Sequence, residues 1–190
     1  MPTMLTMKEL RIGVAITHEN EPYVVLWSDF MRTAMRKPVM RTKLRNLISG
    51  RTLELTFKPD DKIQEANLER NKASYLYLQN GEYYFMDQAS YDQFFLTADQ
   101  LGDQAKFLKE GLEVQVLNYD SKPVTIQIPM KIEYTVVEAP DAVKGDTATN
   151  TNKTIKLDNG LEIKAPMFIK QGERILVSTE TGDYSARAGE

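Results

Sequence analysis

The chain has 190 residues, 42% hydrophobic and 27% charged, which is the balance of a folded protein rather than a disordered one. It has no cysteine, which excludes disulfides, thiolate metal sites and cysteine nucleophiles, and its one histidine leaves no multi-histidine metal site. The formal charge of -3 is unevenly spread: residues 1–66 hold 11 basic against 8 acidic side chains, residues 67–129 hold 5 against 9, and residues 130–190 hold 8 against 10. With no basic n-region followed by an apolar core in residues 1–10 and no 18-residue apolar run, the chain is read as cytoplasmic and non-membrane.

Strand signals dominate. Residues 22–31 are rich in β-branched and aromatic side chains, 39–48 alternate basic with apolar residues, and Leu53, Leu55 and Phe57 alternate with Thr52, Glu54 and Thr56. This predicts a meander with a hairpin tip at 33–38, a tighter turn at Ser49-Gly50, and an end to the first unit at Asp60-Asp61. A second unit reads as strand 74–78, turn Asn80-Gly81 and strand 83–86, because Asn-Gly suits the two positive φ values of a type I′ turn. Thr97 followed by Gln100 predicts a capping box opening a short helix, with Leu101, Ala105 and Leu108 on one face and Gly111 as its stop. Strands at 113–119 and 124–128 complete this barrel.

The third unit is expected to hold strands at 131–138, 154–157, 161–164, 174–178 and 184–187, with a polar stretch at 144–153 and turns at Asn159-Gly160 and Thr181-Gly182. The domain expectation is therefore 1–66, 67–129 and 130–190. Each unit is about 60 residues, near the lower limit for an independent core, so neighbouring units should pack on each other. The predicted fold class is all-β, three small closed or nearly closed barrels of SH3-like and OB type.

Between Phe30 and Leu53 lie Arg32, Arg36, Lys37, Arg41, Lys43, Arg45 and Arg51, and no acidic residue. In an acidic chain such a cluster is a local choice that suits phosphate, and it would orient one end of the molecule toward a polyanion. The structural alternative is a solvated strand whose cations protect a sheet edge. His18, beside Glu19, Asn20 and Glu21, reads as a solvated turn residue, and Asp60-Asp61 as a boundary turn rather than an acid/base pair. Met31 and Met40 are expected to pack beside the hairpin tip, with Met35 at the tip itself, and Trp27 is expected in the core. No phosphate-binding glycine loop and no metal-ligand spacing occurs, so the chain is not read as an enzyme and no cofactor or metal is expected.

In order and spacing, several strings together resemble the bacterial elongation factor P family, the counterpart of archaeal and eukaryotic initiation factor 5A. They are Glu21-Pro22-Tyr23, Arg41-Thr42-Lys43-Leu44-Arg45-Asn46-Leu47 with Ser49-Gly50, Thr56-Phe57-Lys58, Tyr75-Leu76-Tyr77, Phe85-Met86, Val143-Lys144-Gly145-Asp146-Thr147-Ala148, and Gly182-Asp183-Tyr184 with Arg187. The resemblance implies a KOW-type SH3-like domain and two OB-fold domains in an L shape that mimics tRNA. It implies binding between the ribosomal P and E sites, contact with both subunits, and promotion of peptide bond formation at proline runs.

In residues, the resemblance places Thr33, Ala34, Met35, Arg36, Lys37 and Pro38 toward the acceptor end of P-site peptidyl-tRNA, and the basic Arg32, Arg41, Lys43 and Arg45 on RNA. Gly145, Asp146 and Thr147 approach the small subunit and the E-site mRNA codon, and Tyr184 and Arg187 contact tRNA. The protein is expected to act as a monomer. One departure is visible: Met35 between Ala34 and Arg36 stands where many members carry a modified lysine or arginine flanked by glycine, which favours an unmodified loop. The alternative function is a general RNA-binding or initiation-type ribosome factor without proline-specific rescue.

Overall fold

The structure, a computed structural model, describes residues 3–32, 37–140 and 152–189. Its first sheet contains β1 (Met4–Leu5), β2 (Ala15–His18), β3 (Glu21–Met31), β4 (Val39–Asn46), β5 (Thr52–Phe57) and β6 (Ile63–Glu65), in the order β1-β6-β2-β3-β4-β5. The long β3–β4 hairpin forms as expected. Glu19 and Asn20, with φ of 50° and 65°, make the β2–β3 turn. His18 is therefore the last residue of β2 rather than a turn residue, and its ring meets the edge of Tyr23 at 5.8 Å. The Asp61 carboxylate accepts the Lys58 N–H at 2.8 Å, so a turn does form at Asp60-Asp61. It does not end the unit, because β6 follows and pairs with β1 and β2. Leu10, Ile16, Val25, Leu44 and Ile63 fill the core beneath this sheet, each worth roughly 1.5–3 kcal/mol of burial.

The second sheet contains β7 (Glu69–Gln79), β8 (Glu82–Asp87), β9 (Gln93–Thr97), β10 (Glu113–Tyr119) and β11 (Lys122–Gln127), ordered β11-β10-β7-β8-β9. Asn80 and Gly81 have φ of 53° and 82°, the type I′ turn expected from the sequence. The capping box forms too: the Thr97 hydroxyl accepts the Gln100 N–H and the Gln100 side chain accepts the Thr97 N–H. The helix itself is shorter than expected. The α-helix α1 (Ala98–Leu101) gives way to a 3-10 turn (Gly102–Phe107) because Gly102 has a φ of 58°, which breaks the helical path. Leu101 and Leu108 still enter the core, alongside Ala73, Phe85, Leu96, Val114 and Ile126.

The third sheet contains β12 (Lys131–Glu138), β13 (Asn152–Leu157), β14 (Glu162–Pro166), β15 (Arg174–Ser178) and β16 (Tyr184–Arg187), ordered β14-β13-β12-β15-β16. Tyr134, Val136, Ile155, Leu157 and Ile175 form its core. The fold is thus all-β, three β domains each built on one sheet. No helix among the described residues is long and apolar enough to cross a membrane.

The domains meet at two seams. Phe107, from the 3-10 turn of the second domain, is buried in the core of the third, where its carbonyl accepts the Tyr134 hydroxyl. The Asn159 amide donates to the Lys106 and Leu108 carbonyls at 3.0 and 3.3 Å, and the Thr179 hydroxyl donates to the Pro129 carbonyl at 2.7 Å. Burial raises the pKa of the Tyr134 phenol well above its ordinary value, and the charge of Asp158 adds to this, so the hydroxyl stays a donor. The first and second domains touch at glycines instead. A Cβ on Gly50 would lie 2.5 Å from Asp99 Cβ and 2.8 Å from the Asp99 carbonyl, and one on Gly102 would collide with the Arg45 guanidinium. Beside this contact a cleft of about 930 Å³ opens, lined by Ala15, Val24 and Arg45 on one side and Arg70, Gln104 and Ile126 on the other.

Candidate nucleic-acid interface

Strand β4 sorts its own side chains. Met40, Thr42 and Leu44 are buried, so Arg41, Lys43 and Arg45 must share the opposite, outward face. The register with β3 pairs Lys43 with Trp27 and Arg41 with Asp29, and the register with β5 pairs them with Glu54 and Thr56. Lys43, Arg41 and Arg32 are exposed along the route to the hairpin tip.

Arg45 is different. Its guanidinium packs on Gly102 at the seam, and burial lowers its pKa from the ordinary arginine value while the nearby Asp103 opposes the shift. The structure therefore sets Arg41 and Lys43 on one open face, leaves Arg32 exposed just past the end of β3, and places Arg45 against the second domain. Thr33, Ala34, Met35 and Arg36 lie outside the described residues. Lys37 is exposed and pairs with Asp60 at 3.1 Å, a surface contact of little energetic weight, and Pro38 is half-buried.

Trp27 was expected in the core and is not there. A bulge at Leu26 shifts the β3–β4 register between Val25 and Trp27, turning the indole outward beside Lys43 with 45% of its surface exposed. Met31, expected to pack, is 44% exposed, whereas Met40 is buried as expected. Phe30 is exposed as well. This end of the hairpin therefore presents aromatic and sulfur-bearing groups among cations. A flat indole beside a lysine can stack on a base while the ammonium meets the phosphate.

In the third domain, Tyr184 packs against the core and pairs with Val177 across β15 and β16. Arg187 is half-buried: its guanidinium lies over the Phe168 ring at 4.9 Å, and its Nε is 3.4 Å from Glu173, an ionic contact without hydrogen-bond alignment. The sequence reading missed Phe168, which is 55% exposed beside this arginine. Gly145, Asp146 and Thr147 lie outside the described residues. Among the described residues no group of three or more His, Asp or Glu side chains is placed to hold a metal ion.

These three β domains match, in chain order, family profiles of translation-factor domains. Residues 6–63 match the elongation factor P KOW-like domain, residues 68–126 the elongation factor P OB domain, and residues 132–187 the elongation factor P C-terminal domain. The chain is 39% identical to elongation factor P of Desulfotalea psychrophila over 184 residues, covering 97% of this chain and 98% of that protein. It is likewise 39% identical to elongation factor P of Syntrophus aciditrophicus, with the same coverage. Elongation factor P of Aquifex aeolicus is 37% identical across 100% of this chain and 99% of that protein. Among solved structures, eukaryotic translation initiation factor 5A from Methanococcus jannaschii aligns more loosely, at 14% identity and a TM-score of 0.47 over 67% of this chain and 95% of that one. The chain belongs to the elongation factor P family, a family of translation factors.

Proposed function

We propose that the chain is a cytoplasmic, monomeric elongation factor that binds the ribosome between the P and E sites and relieves stalls at proline runs. Family membership supports the translation role. The observation that carries the RNA contact is the open outward face of β4, where Arg41 and Lys43 lead from Trp27 toward the cationic segment at 33–38. Phosphate contacts supply most nucleic-acid affinity, so this face and Arg32 approach the P-site tRNA. Thr33, Ala34, Met35, Arg36, Lys37 and Pro38 reach its acceptor end. The three domains act as units 1–66, 67–129 and 130–190, with Gly145, Asp146 and Thr147 toward the small subunit and E-site codon, and Tyr184 and Arg187 on tRNA.

No bond is made or broken by the protein in this reading. Its tip holds the peptidyl-tRNA in a reactive geometry, and orientation alone is worth up to about 7–11 kcal/mol for well-placed reactants. Pro38 fixes its own φ and confines Lys37 to extended conformations, which lowers the ordering cost of docking an unmodified tip. Ribosome profiling of a strain lacking the gene tests the reading. Pauses concentrated at Pro-Pro codons are expected, and a uniform initiation defect without them would instead assign the chain to a general initiation-type role.

A further inference from the structure

From residue 73 to residue 105 the chain has no lysine or arginine, yet it has Glu82, Asp87, Asp92, Asp99 and Asp103 and eight aromatic side chains. Alternation explains where half of these aromatics go: Tyr83, Phe85 and Phe94 point inward and pack on the second core with Tyr75. The others cannot. A bulge at Leu76 shifts the β7–β8 register between Tyr75 and Tyr77 and turns Tyr77 to the outer face. There Tyr77, Tyr84 and Phe95 pair directly across β7, β8 and β9. Tyr77 and Tyr84 stack at 5.0 Å and 23°, and Tyr84 meets Phe95 at 5.9 Å and 44°. Tyr77 and Phe95 remain 45% and 48% exposed, so the row fills no core.

The adjacent cross-strand row is Gln79, Glu82 and Thr97, which sets one carboxylate at the margin of the rings. The Tyr84 hydroxyl donates to Glu82 Oε2 at 2.8 Å, which fixes that carboxylate against the ring edge. In these two rows a phosphate backbone finds no cation and meets a negative charge, since the basic residues of β7, Lys72 and Arg70, lie farther along the strand beyond Ser74. A guanidinium finds both of the things it binds: electron-rich ring faces and a carboxylate anchored beside them.

We propose that the outer face of β7, β8 and β9 is a docking surface for an arginine-bearing, basic segment of a partner protein. The guanidinium lies over the Tyr77–Tyr84–Phe95 row and donates to Glu82. Arginine is favoured over lysine because its flat, weakly hydrated head stacks on the rings and still keeps N–H groups for the carboxylate. This surface is independent of where the basic hairpin docks, so either proposal can fail alone.

The test titrates the full chain, followed by amide NMR, with three probes: a short peptide alternating arginine and glycine, its lysine counterpart, and an oligouridylate. The arginine peptide is expected to shift amides of β7–β9, with the lysine peptide weaker and the contact weakening as salt rises. Tyr84→Ala and Phe95→Ala should each weaken the arginine peptide by about tenfold, Glu82→Gln by about threefold, and Tyr84→Phe only slightly since the ring remains. Glu82→Gln and Tyr84→Phe keep the surface packing, so the result stands even if an alanine variant unfolds. Preferential oligouridylate binding at these amides, unchanged arginine-peptide affinity in Phe95→Ala and Glu82→Gln, or concentration-dependent shifts without peptide that mark a second copy would each overturn the proposal.

Discussion

The two seams of this molecule are closed by opposite means. Between the second and third domains an apolar side chain crosses over: Phe107 leaves its own domain and completes its neighbour's core, with Leu112 and Ile128 packed against both cores. Between the first and second domains, the buried cluster beneath the first sheet contains no residue of the second. Contact there depends on side chains being absent, with Gly50 against the Asp99 backbone and Gly102 beneath the Arg45 guanidinium. An apolar plug binds two domains through burial, whereas a glycine seam only permits approach. The first kind is costly to break and the second is easily wedged open.

Phe107→Ala carries the largest expected effect. Emptying a buried phenylalanine site should cost about 3–5 kcal/mol, read as a lower denaturant midpoint for the second and third domains together. If the variant loses less than about 1 kcal/mol, the shared core is not what joins them.

Gly50→Ala sharpens the other seam when set beside Gly111→Ala. Both glycines have positive φ, 74° and 78°, but a Cβ at Gly111 meets nothing within 4 Å. Gly111→Ala should therefore cost only the conformational penalty of about 1 kcal/mol. Gly50→Ala pays that and also pushes on the Asp99 backbone, so it should raise the radius of gyration by small-angle scattering with circular dichroism unchanged. Equal scattering from the two variants would remove the steric account of this seam. Tyr134→Phe is milder than Phe107→Ala, expected to cost about 1–3 kcal/mol by leaving the Phe107 carbonyl without its donor. A double-mutant cycle with Phe107→Ala should show the two effects to be non-additive.

Features set by neighbouring residues were legible in the sequence. The Asn80-Gly81 turn and the Thr97/Gln100 box need only chemistry within four positions, and both form. The β3–β4 hairpin and its row of cations were equally readable, because β4 keeps strict alternation throughout. What could not be read were the bulges. One extra residue at Leu26 or Leu76 reverses every later side chain on that strand, exposing Trp27 and Tyr77 where alternation or hydrophobicity would bury them. The placement of Arg45 was hidden for another reason. Arg41, Lys43 and Arg45 have the same period and the same face, and only the docking of the second domain separates the third from the other two. Short strands such as β1 and β6 carry too few residues for a period to register.

The proposed function requires the unmodified, cationic segment at 33–38 to act on stalled peptidyl-tRNA. The most direct measurement is reconstituted translation of a reporter with a Pro-Pro-Pro run, using ribosomes from the protein's own source and recombinant protein whose intact mass shows no adduct. Wild type should relieve the stall, and Arg36→Glu combined with Lys37→Glu should not, while melting close to the wild-type temperature because a surface ion pair such as Lys37–Asp60 adds little stability. A stall that persists with the unmodified wild type, or one relieved equally by the double variant, would contradict the claim.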